Sequence, residues 1–222
     1  MKDLTVRDVY ELDGQLKTHV EPPFVVRRYL QPHLYLRDSN FLLDFQETAS
    51  KAALIYNLET GKEPDGIIAV NFEALKKIMK VLGPIELPEY KITVDETNIG
   101  DFLQDTIQTN NFPGSTQKKD LLSKILNQII LMATSNPYKT FEITKLFPSF
   151  LEEKNIIISF ENPYTQKPFT ANGYGGVIQD GRAKKDRTAY DYLYVNEANI
   201  GVNKVNEKIS REITYETEMG QN

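Results

Sequence analysis

The chain has 222 residues, of which 40% are hydrophobic and 26% charged, so it is long enough to bury one sizeable core in one or two domains. Its net charge of -5 argues against a sequence-independent nucleic-acid binder, because neutralising phosphates needs a dominant basic face. The absence of cysteine excludes disulfide frameworks, thiolate zinc sites and cysteine nucleophiles.

The first third of the chain predicts a strand followed by two helices. β-branched and aromatic residues are typical of a strand over 4–10, and the Asp-Gly pair after it is typical of a turn. Residues 21–30 predict a short helix that begins with two prolines. Over 44–60 the apolar residues recur at helical spacing, and Gly61 ends that helix.

A short continuous apolar run at 66–70 predicts a strand that is buried on both faces. A helix over 72–82 follows, with Asn71 as its N-cap and Gly83 at its end. Strand, helix and strand in this order predict a crossover unit. The later predicted elements are a strand at 91–96, helices at 98–112, 116–134 and 141–151, and a strand at 155–160.

This alternation predicts an α/β fold with a largely parallel or mixed central sheet. Residues 1–200 are predicted to form one domain, and 201–222 a C-terminal strand or the start of a following β-rich segment. The "GYGG" at 173–176 is typical of a mobile turn. The charged stretch 179–191 has little to bury and predicts a mobile loop.

Most catalytic signatures are missing from the chain. It contains no phosphate-binding G-x-x-x-x-G-K-[ST] loop, no G-x-S-x-G elbow, no H-E-x-x-H and no G-x-G-x-x-G after a strand. Its two histidines, His19 and His33, exclude a histidine-rich metal site and are typical of loop residues beside prolines.

Polar residues interrupt an apolar stretch at 34–45. Arg37, Asp38, Ser39 and Asn40 stand between two runs of leucine and aromatic residues. They either line a site at the end of a strand, or form a hydrogen-bonded turn in which Arg37 pairs with a nearby carboxylate.

Other charged residues near predicted strand and helix ends suit the same kind of site. Carboxylate and amide oxygens suit Mg²⁺, and arginine and lysine suit a phosphate, as in phosphoryl-transfer sites. The alternative is that these residues form salt bridges and helix caps. The residues concerned are Arg7, Asp8, Asp38, Asn40, Lys118 and Lys119.

Five ordered motifs resemble the bacterial domain of unknown function 4012 family, which supplies no activity. They are "VRDVYELDGQLKTHVEPP", "LRDSNFLLDF", "TGKEPDGIIAVNFEALKKIMKVLGPIELPEY", "NNFPGSTQKKDLL" and "DYLYVNEANIGVNK". More distantly, "LTVRDVYELDG" and "DGIIAVNFEALKKIMKVLGPIEL" resemble segments of the LytR-CpsA-Psr phosphotransferases. That resemblance implies a three-layer α/β/α sandwich with a mixed central sheet.

The phosphotransferase resemblance also implies a reaction and its residues. Such an enzyme lies outside the cytoplasmic membrane and moves a glycopolymer from a polyprenyl pyrophosphate carrier to the cell wall with Mg²⁺. By position, the catalytic residues would be Arg7, Asp8 and Asp38, and Asp8 and Asp38 would hold Mg²⁺. The substrate-binding residues would be Arg37, Asn40, Lys118 and Lys119.

The match to the phosphotransferase motifs is incomplete, because lysines replace the arginines at the start of the 116–134 helix and lack their bidentate fork. Two functions therefore remain open. One is a Mg²⁺-dependent phosphotransferase, and the other is a non-catalytic envelope domain that binds glycan or protein. In both cases the resemblance implies a membrane tether outside this chain.

Overall fold

The computed structural model describes residues 5–88, 91–100, 116–178, 193, 195 and 209–218, without the side chains of 116–122. The chain divides into two compact units. One comprises Met1–Thr18 and Tyr35–Asp191, and the other comprises His19–Leu34 and Tyr192–Asn222.

The described residues contain both helices and strands, so the prediction of a mixed α/β protein is confirmed. In chain order the elements are α1 (Val9–Asp13), α2 (Phe24–Tyr29), a 3-10 helix (Leu36–Asp38), α3 (Phe45–Thr60), β1 (Gly66–Val70), α4 (Phe72–Leu82), β2 (Ile85–Leu87), β3 (Ile92–Val94), α5 (Thr116–Ser135), α6 (Pro137–Glu152), β4 (Ile156–Phe160) and α7 (Pro163–Ala171).

The predicted strand over 4–10 is wrong. Residues 5–8 form neither helix nor strand, and the chain then turns into α1. Asp8 is the N-cap of α1, and Glu11 three residues later lies in its first turn. An N-cap residue followed at this spacing by glutamate marks a helix start, and this local signal prevails over the β-branched content.

Two antiparallel pairs replace the predicted crossover. β1 pairs with β4, with Gly66 opposite Phe160, and β2 pairs with β3, with Ile85 opposite Val94. The strands on either side of α4 therefore belong to different sheets. Ile68 is 60% exposed and Val70 is 56% exposed, so β1 is not buried on both faces as predicted.

The helices predicted over 44–60, 72–82 and 116–134 are confirmed as α3, α4 and α5, and the strand over 155–160 as β4. α6 begins earlier than predicted, and α7 was not expected. Asn136 precedes Pro137 in α6, and Asn162 precedes Pro163 in α7. Each asparagine accepts from two backbone N–H groups, and proline at the first helical position lacks an N–H that would have no intrahelical partner.

The buried core of the first unit has two clusters, and α4 contributes to both. One cluster joins α4 to β2, β3 and α5, and the other joins it to α6 and β4. The first comprises Met79, Leu82, Ile85, Leu87, Val94, Ile99, Ile125 and Ile129. The second comprises Ala74, Phe150, Leu151, Ile156 and Ile158.

In the second unit, the residues on either side of α2 meet. The backbone N–H of Leu34 donates to the carbonyl of Val20 over 2.9 Å. The two Nδ1 atoms of His19 and His33 lie 2.6 Å apart, and His19 Nε2 lies 2.9 Å from the Glu21 carboxylate. The two histidines therefore belong to a connection around α2, as their sequence context predicts.

Several predictions fall outside the described residues. They are the mobile loop over 179–191, the helix over 98–112 beyond residue 100, and most of the C-terminal segment 201–222. Residues 209–218, which the structure describes, contain no helix or strand.

The N-cap of α4 gives a first testable prediction. Asn71 Oδ1 accepts from the N–H of Ala74 over 3.0 Å, and Asn71 Nδ2 donates to Asn155 Oδ1 over 2.8 Å. We expect Asn71→Ala to lower the free energy of unfolding by about 1–2 kcal/mol, because both bonds are lost. Urea denaturation would measure the loss, and Asn71→Ser, whose hydroxyl keeps the cap and places no carboxylate against Asn155 Oδ1, should lose less. Equal losses in the two variants would contradict the capping role.

Candidate functional site

The start of α1 holds two of the predicted catalytic residues. Asp8 Oδ1 accepts from the backbone N–H of Tyr10 over 2.9 Å and so caps the helix. Arg7 lies 3.1 Å from Glu11 in an exposed ion pair one helical turn apart. Both side chains thus have contacts of the kind that stabilise a helix end.

Arg37 joins the 3-10 helix to the end of α1. Its Nη1 donates to Asp13 Oδ2 over 2.6 Å, and its Nε lies 3.4 Å from Asp38 Oδ2. The second oxygen of Asp13 accepts from the N–H of Leu36 over 3.0 Å. The Asp13 side chain is only 4% exposed, so Arg37 neutralises a buried carboxylate.

Two aromatic rings hold the Arg37 guanidinium. It lies 4.3 Å from the centroid of Tyr35 and 5.4 Å from that of Tyr10. Cation–π contacts of this kind keep a guanidinium in one position. Arg37 is therefore fixed by carboxylates and rings of its own unit.

Glu59, at the end of α3, joins Asp13, Arg37 and Asp38 as a fourth charged residue of the same group. It is 6% exposed, and neither carboxylate oxygen has a hydrogen-bond partner in the part of the chain that the structure describes. Burial and, after it, the neighbouring Asp13 carboxylate together raise the pKa of Glu59 to about 7, although the Leu36 backbone and the Arg37 charge oppose them. We call Asp13, Arg37, Asp38 and Glu59 the acid–arginine cluster.

The other predicted site residues have separate positions. Ser39 is buried, and its hydroxyl donates to the carbonyl of Leu36 over 2.8 Å, whereas Asn40 is exposed. Lys118 and Lys119 lie in the first turn of α5, and their side chains are outside the described ones. The "RDSN" stretch therefore forms the hydrogen-bonded turn with an Arg37–carboxylate pair that was one of its two interpretations.

The described residues contain no group of three histidine, aspartate or glutamate side chains that could hold a metal ion. Asp8 and Asp38, the predicted Mg²⁺ ligands, therefore belong to no such group within that part of the chain. The resemblance-based assignment of these two residues to Mg²⁺ remains a prediction.

Sequence reasoning missed Asp13 and Glu59. Asp13 was interpreted as a turn residue because glycine follows it. Glu59 carries a usable signal, since it lies seven residues after Ala52 and four after Ile55, on the buried face of α3. A glutamate at a core position of an amphipathic helix indicates a buried charge that needs a partner.

A cleft of about 230 Å³ lies between α3, β1, β4 and α7. Its lining combines amide and hydroxyl side chains with small and apolar ones, one carboxylate and no basic residue. The lining residues are Gln46, Ala49, Ser50, Ala53, Gly66, Ile67, Ser159, Phe160, Glu161, Pro163 and Gln166.

Hydrogen bonds fix two of the cleft amides. Gln166 Oε1 accepts from the N–H of Phe160 over 2.7 Å, and its Nε2 donates to Thr170 over 3.1 Å. Gln46 Nε2 donates to the same threonine hydroxyl over 3.0 Å. Phe160 packs against Phe169 with ring centroids 5.2 Å apart. The polar wall of the cleft is therefore preorganised.

None of the helices in the described residues is both long and apolar enough to cross a membrane. No curated protein and no solved structure matches the chain.

A family model does match, and it is described as Protein of unknown function (DUF4012). It covers residues 7–107, a little under half of the chain, and includes three of the five motifs wholly or almost wholly. The motifs at 110–122 and 191–204 lie beyond it. Residues 7–107, which carry the Arg37 pair, α3 and one wall of the cleft, thus confirm the resemblance to the domain of unknown function 4012 family.

Proposed function

We propose that this chain is a non-catalytic cell-envelope domain that binds glycan in the cleft between α3, β1, β4 and α7. The observation that carries the proposal is the chemistry of the lining, which offers amides and hydroxyls without any basic side chain. A neutral ligand with many hydroxyl groups suits such a surface, because amides and hydroxyls both donate and accept hydrogen bonds.

The shape of the cleft supports the same ligand class. Its volume is below the range of about 300–1,000 Å³ that is typical of sites for drug-sized ligands, so it suits one small unit such as a single sugar ring. Phe160 and Pro163 give the lining an apolar part, on which the C–H face of a sugar can lie. Ser50, Ser159 and Glu161 are polar groups that could reach its hydroxyls.

The acid–arginine cluster argues against a phosphoryl-transfer site at the "RDSN" stretch. A pyrophosphate would have to compete with Asp13 and Asp38 for the Arg37 guanidinium. Displacing Arg37 would leave the buried Asp13 carboxylate without its cation, and breaking a buried pair in this way is costly.

The rival proposal is the LytR-CpsA-Psr-like phosphotransferase with its three-layer α/β/α sandwich. Its support is that Arg37 and Asp38, two of the residues the resemblance implies, lie in contact. The antiparallel pairing of β1 with β4 and the exposed face of β1 favour the binding domain instead. Both proposals place the protein outside the cytoplasm with a tether beyond this chain, and that location rests on the resemblance alone.

A substitution that fills the cleft tests glycan binding. We expect Ser50→Trp to weaken binding of a neutral disaccharide of N-acetylglucosamine at least tenfold, about 1.4 kcal/mol, because the indole would occupy the space between α3 and β4. Isothermal calorimetry and backbone chemical shifts of wild type and variant would measure it. The matched control is Leu58→Trp, an exposed α3 position two turns further on that does not line the cleft.

A second experiment tests the phosphotransferase proposal. Thermal melts of the wild type with Mg²⁺ and a polyprenyl pyrophosphate would show a raised melting temperature if the phosphotransferase proposal is correct. Glycan binding that Leu58→Trp keeps and Ser50→Trp loses supports the cleft. Disaccharide binding that both variants keep would contradict it.

A further inference from the structure

We propose that Glu59 is protonated in the folded protein and that its carboxyl donates a hydrogen bond to Asp13. A proton-dependent hydrogen bond thus joins α3 to α1. The inference is independent of the proposed function. It makes the acid–arginine cluster a pH-sensitive contact between α1 and α3, which pack against each other.

The Glu59 carboxylate lacks hydrogen bonds in the described part of the chain. Glu59 is almost completely buried, and neither of its oxygens has a partner in the described part of the chain. A buried polar group without a partner is costly, and a buried charge without one costs more. The ionised form of Glu59 is therefore a poor fit to this position.

The neighbour of Glu59 is another carboxylate, Asp13. Asp13 lies beside Glu59 and influences its ionisation both through its charge and through hydrogen bonding. Two ionised carboxylates are both acceptors and cannot bond to each other. A single proton changes this, because a neutral carboxyl can donate to a carboxylate, as in other carboxylate pairs that share a site.

Of the two carboxyl groups, Glu59 rather than Asp13 holds the proton. Both oxygens of Asp13 already act as hydrogen-bond acceptors, one from Arg37 and the other from the N–H of Leu36. Leu36 and Arg37 also lower the pKa of Glu59, but burial and the neighbouring Asp13 carboxylate outweigh them and raise that pKa to about 7. Below about pH 7 the pair therefore carries one proton, which is held on Glu59 beside the Asp13 carboxylate.

The charged groups around Glu59 come from two elements. α1 supplies Asp13, and the 3-10 helix supplies Arg37, which also contacts Asp38. β1 and β4 also pack against α3, but neither strand contains a titratable side chain. Arg37 stabilises the ionised form of Glu59 but is shared with two other carboxylates.

The direction of the pH dependence follows from the raised pKa. Between pH 4.5 and about 7 the folded protein keeps the Glu59 proton, whereas the unfolded chain has lost it. The stability that the protonated Glu59 contributes is therefore complete below pH 4.5 and is lost as pH rises to about 7. From pH 6 to pH 8 the folding equilibrium constant should fall about tenfold through Glu59 alone.

Glu59→Gln tests the proposal, because the amide can donate to Asp13 at every pH. We expect urea denaturation of the wild type to lose about tenfold more in folding constant between pH 6 and pH 8 than the variant does. His19 and His33 are present in both proteins, so any effect they have on the pH dependence cancels in the comparison. An identical pH dependence in the two proteins would overturn the proposal.

A measurement on the wild type keeps the test decisive if the variant does not fold. Carbon-13 NMR of the glutamate carboxyl groups should show one that titrates near pH 7 in the folded protein. The backbone amides of α1 should become less protected against hydrogen exchange, after correction for the intrinsic rate, as pH rises from 6 to 8. A set of glutamates that all titrate near pH 4.5 would overturn the proposal.

Discussion

Replacing Arg37 with methionine is expected to lower the free energy of unfolding by about 3–5 kcal/mol, the usual cost of removing one partner from a buried ion pair. Methionine keeps much of the side-chain length, so the change removes mainly the guanidinium. The Asp13 carboxylate would remain buried without the Arg37 cation, and its donors would be the neutral N–H of Leu36 and the protonated Glu59 carboxyl. Urea denaturation at pH 7, followed by circular dichroism, would measure the loss.

The matched control is another arginine–carboxylate pair in the same region. Arg7 and Glu11 form an exposed pair one turn apart, and such pairs contribute about 0.3–0.5 kcal/mol. Arg7→Ala should therefore change stability by less than about 0.5 kcal/mol. Losses of similar size in Arg37→Met and Arg7→Ala would contradict the structural role assigned to Arg37.

A double variant isolates the pair itself. Asp13→Asn combined with Arg37→Met removes the uncompensated charge, so it should be more stable than the sum of the two single losses predicts. Strict additivity would mean that the two side chains do not interact in solution. The same comparison bears on function, because an arginine needed for the fold is a poor candidate for binding a pyrophosphate.

The turn at 37–40 shows how far sequence reasoning extends. The pattern predicted that Arg37 pairs with a carboxylate if the stretch is structural, and it does. It could not identify the carboxylate, because Asp13 lies 24 residues earlier and reaches Arg37 only through the packing of α1 against the 3-10 helix. Ion-pair partners distant in sequence depend on tertiary structure.

The predicted secondary structure shows the same contrast between features that local sequence determines and features that depend on tertiary structure. Helices with local end signals, such as α3 between its Asp44 cap and Gly61, were predicted to within a residue or two. Strand pairing was not, because β1 finds its partner β4 about 90 residues later and in antiparallel orientation. An apolar run of five residues is compatible with either orientation, and the flanking helix favoured the wrong one.

The cleft could not be predicted at all. Its lining comes from α3, β1, β4 and α7, and α7 itself was not expected. No spacing within one segment relates Gln46 to Gln166, although both donate to Thr170. The residues that attract attention in sequence are the charged ones, but Arg37, Asp13 and Asp38 contact one another and do not line the cleft.

Gly176 gives the second large expected effect, in a segment whose sequence is typical of a mobile turn. Its φ is +64°, and a Cβ there would lie 2.7 Å from Phe45 Cβ and 2.8 Å from Ile157 Cγ2. The carbonyl of Gly176 also accepts from the N–H of Phe45 over 3.1 Å, at the start of α3. We expect Gly176→Ala to cost about 3 kcal/mol, because it adds overpacking to an unfavourable backbone angle.

Gly173 in the same turn separates the two causes. Its φ is +75°, but a Cβ there would meet nothing within 4 Å, so Gly173→Ala has the backbone penalty alone and should cost about 1 kcal/mol. Urea denaturation of both variants beside the wild type would measure the difference. If residues 173–176 were a mobile turn in solution, they would move to accept either methyl group, and both losses would be small and equal. A Gly176→Ala loss about 2 kcal/mol larger than that of Gly173→Ala would instead show that this turn is packed against the first turn of α3 and against β4.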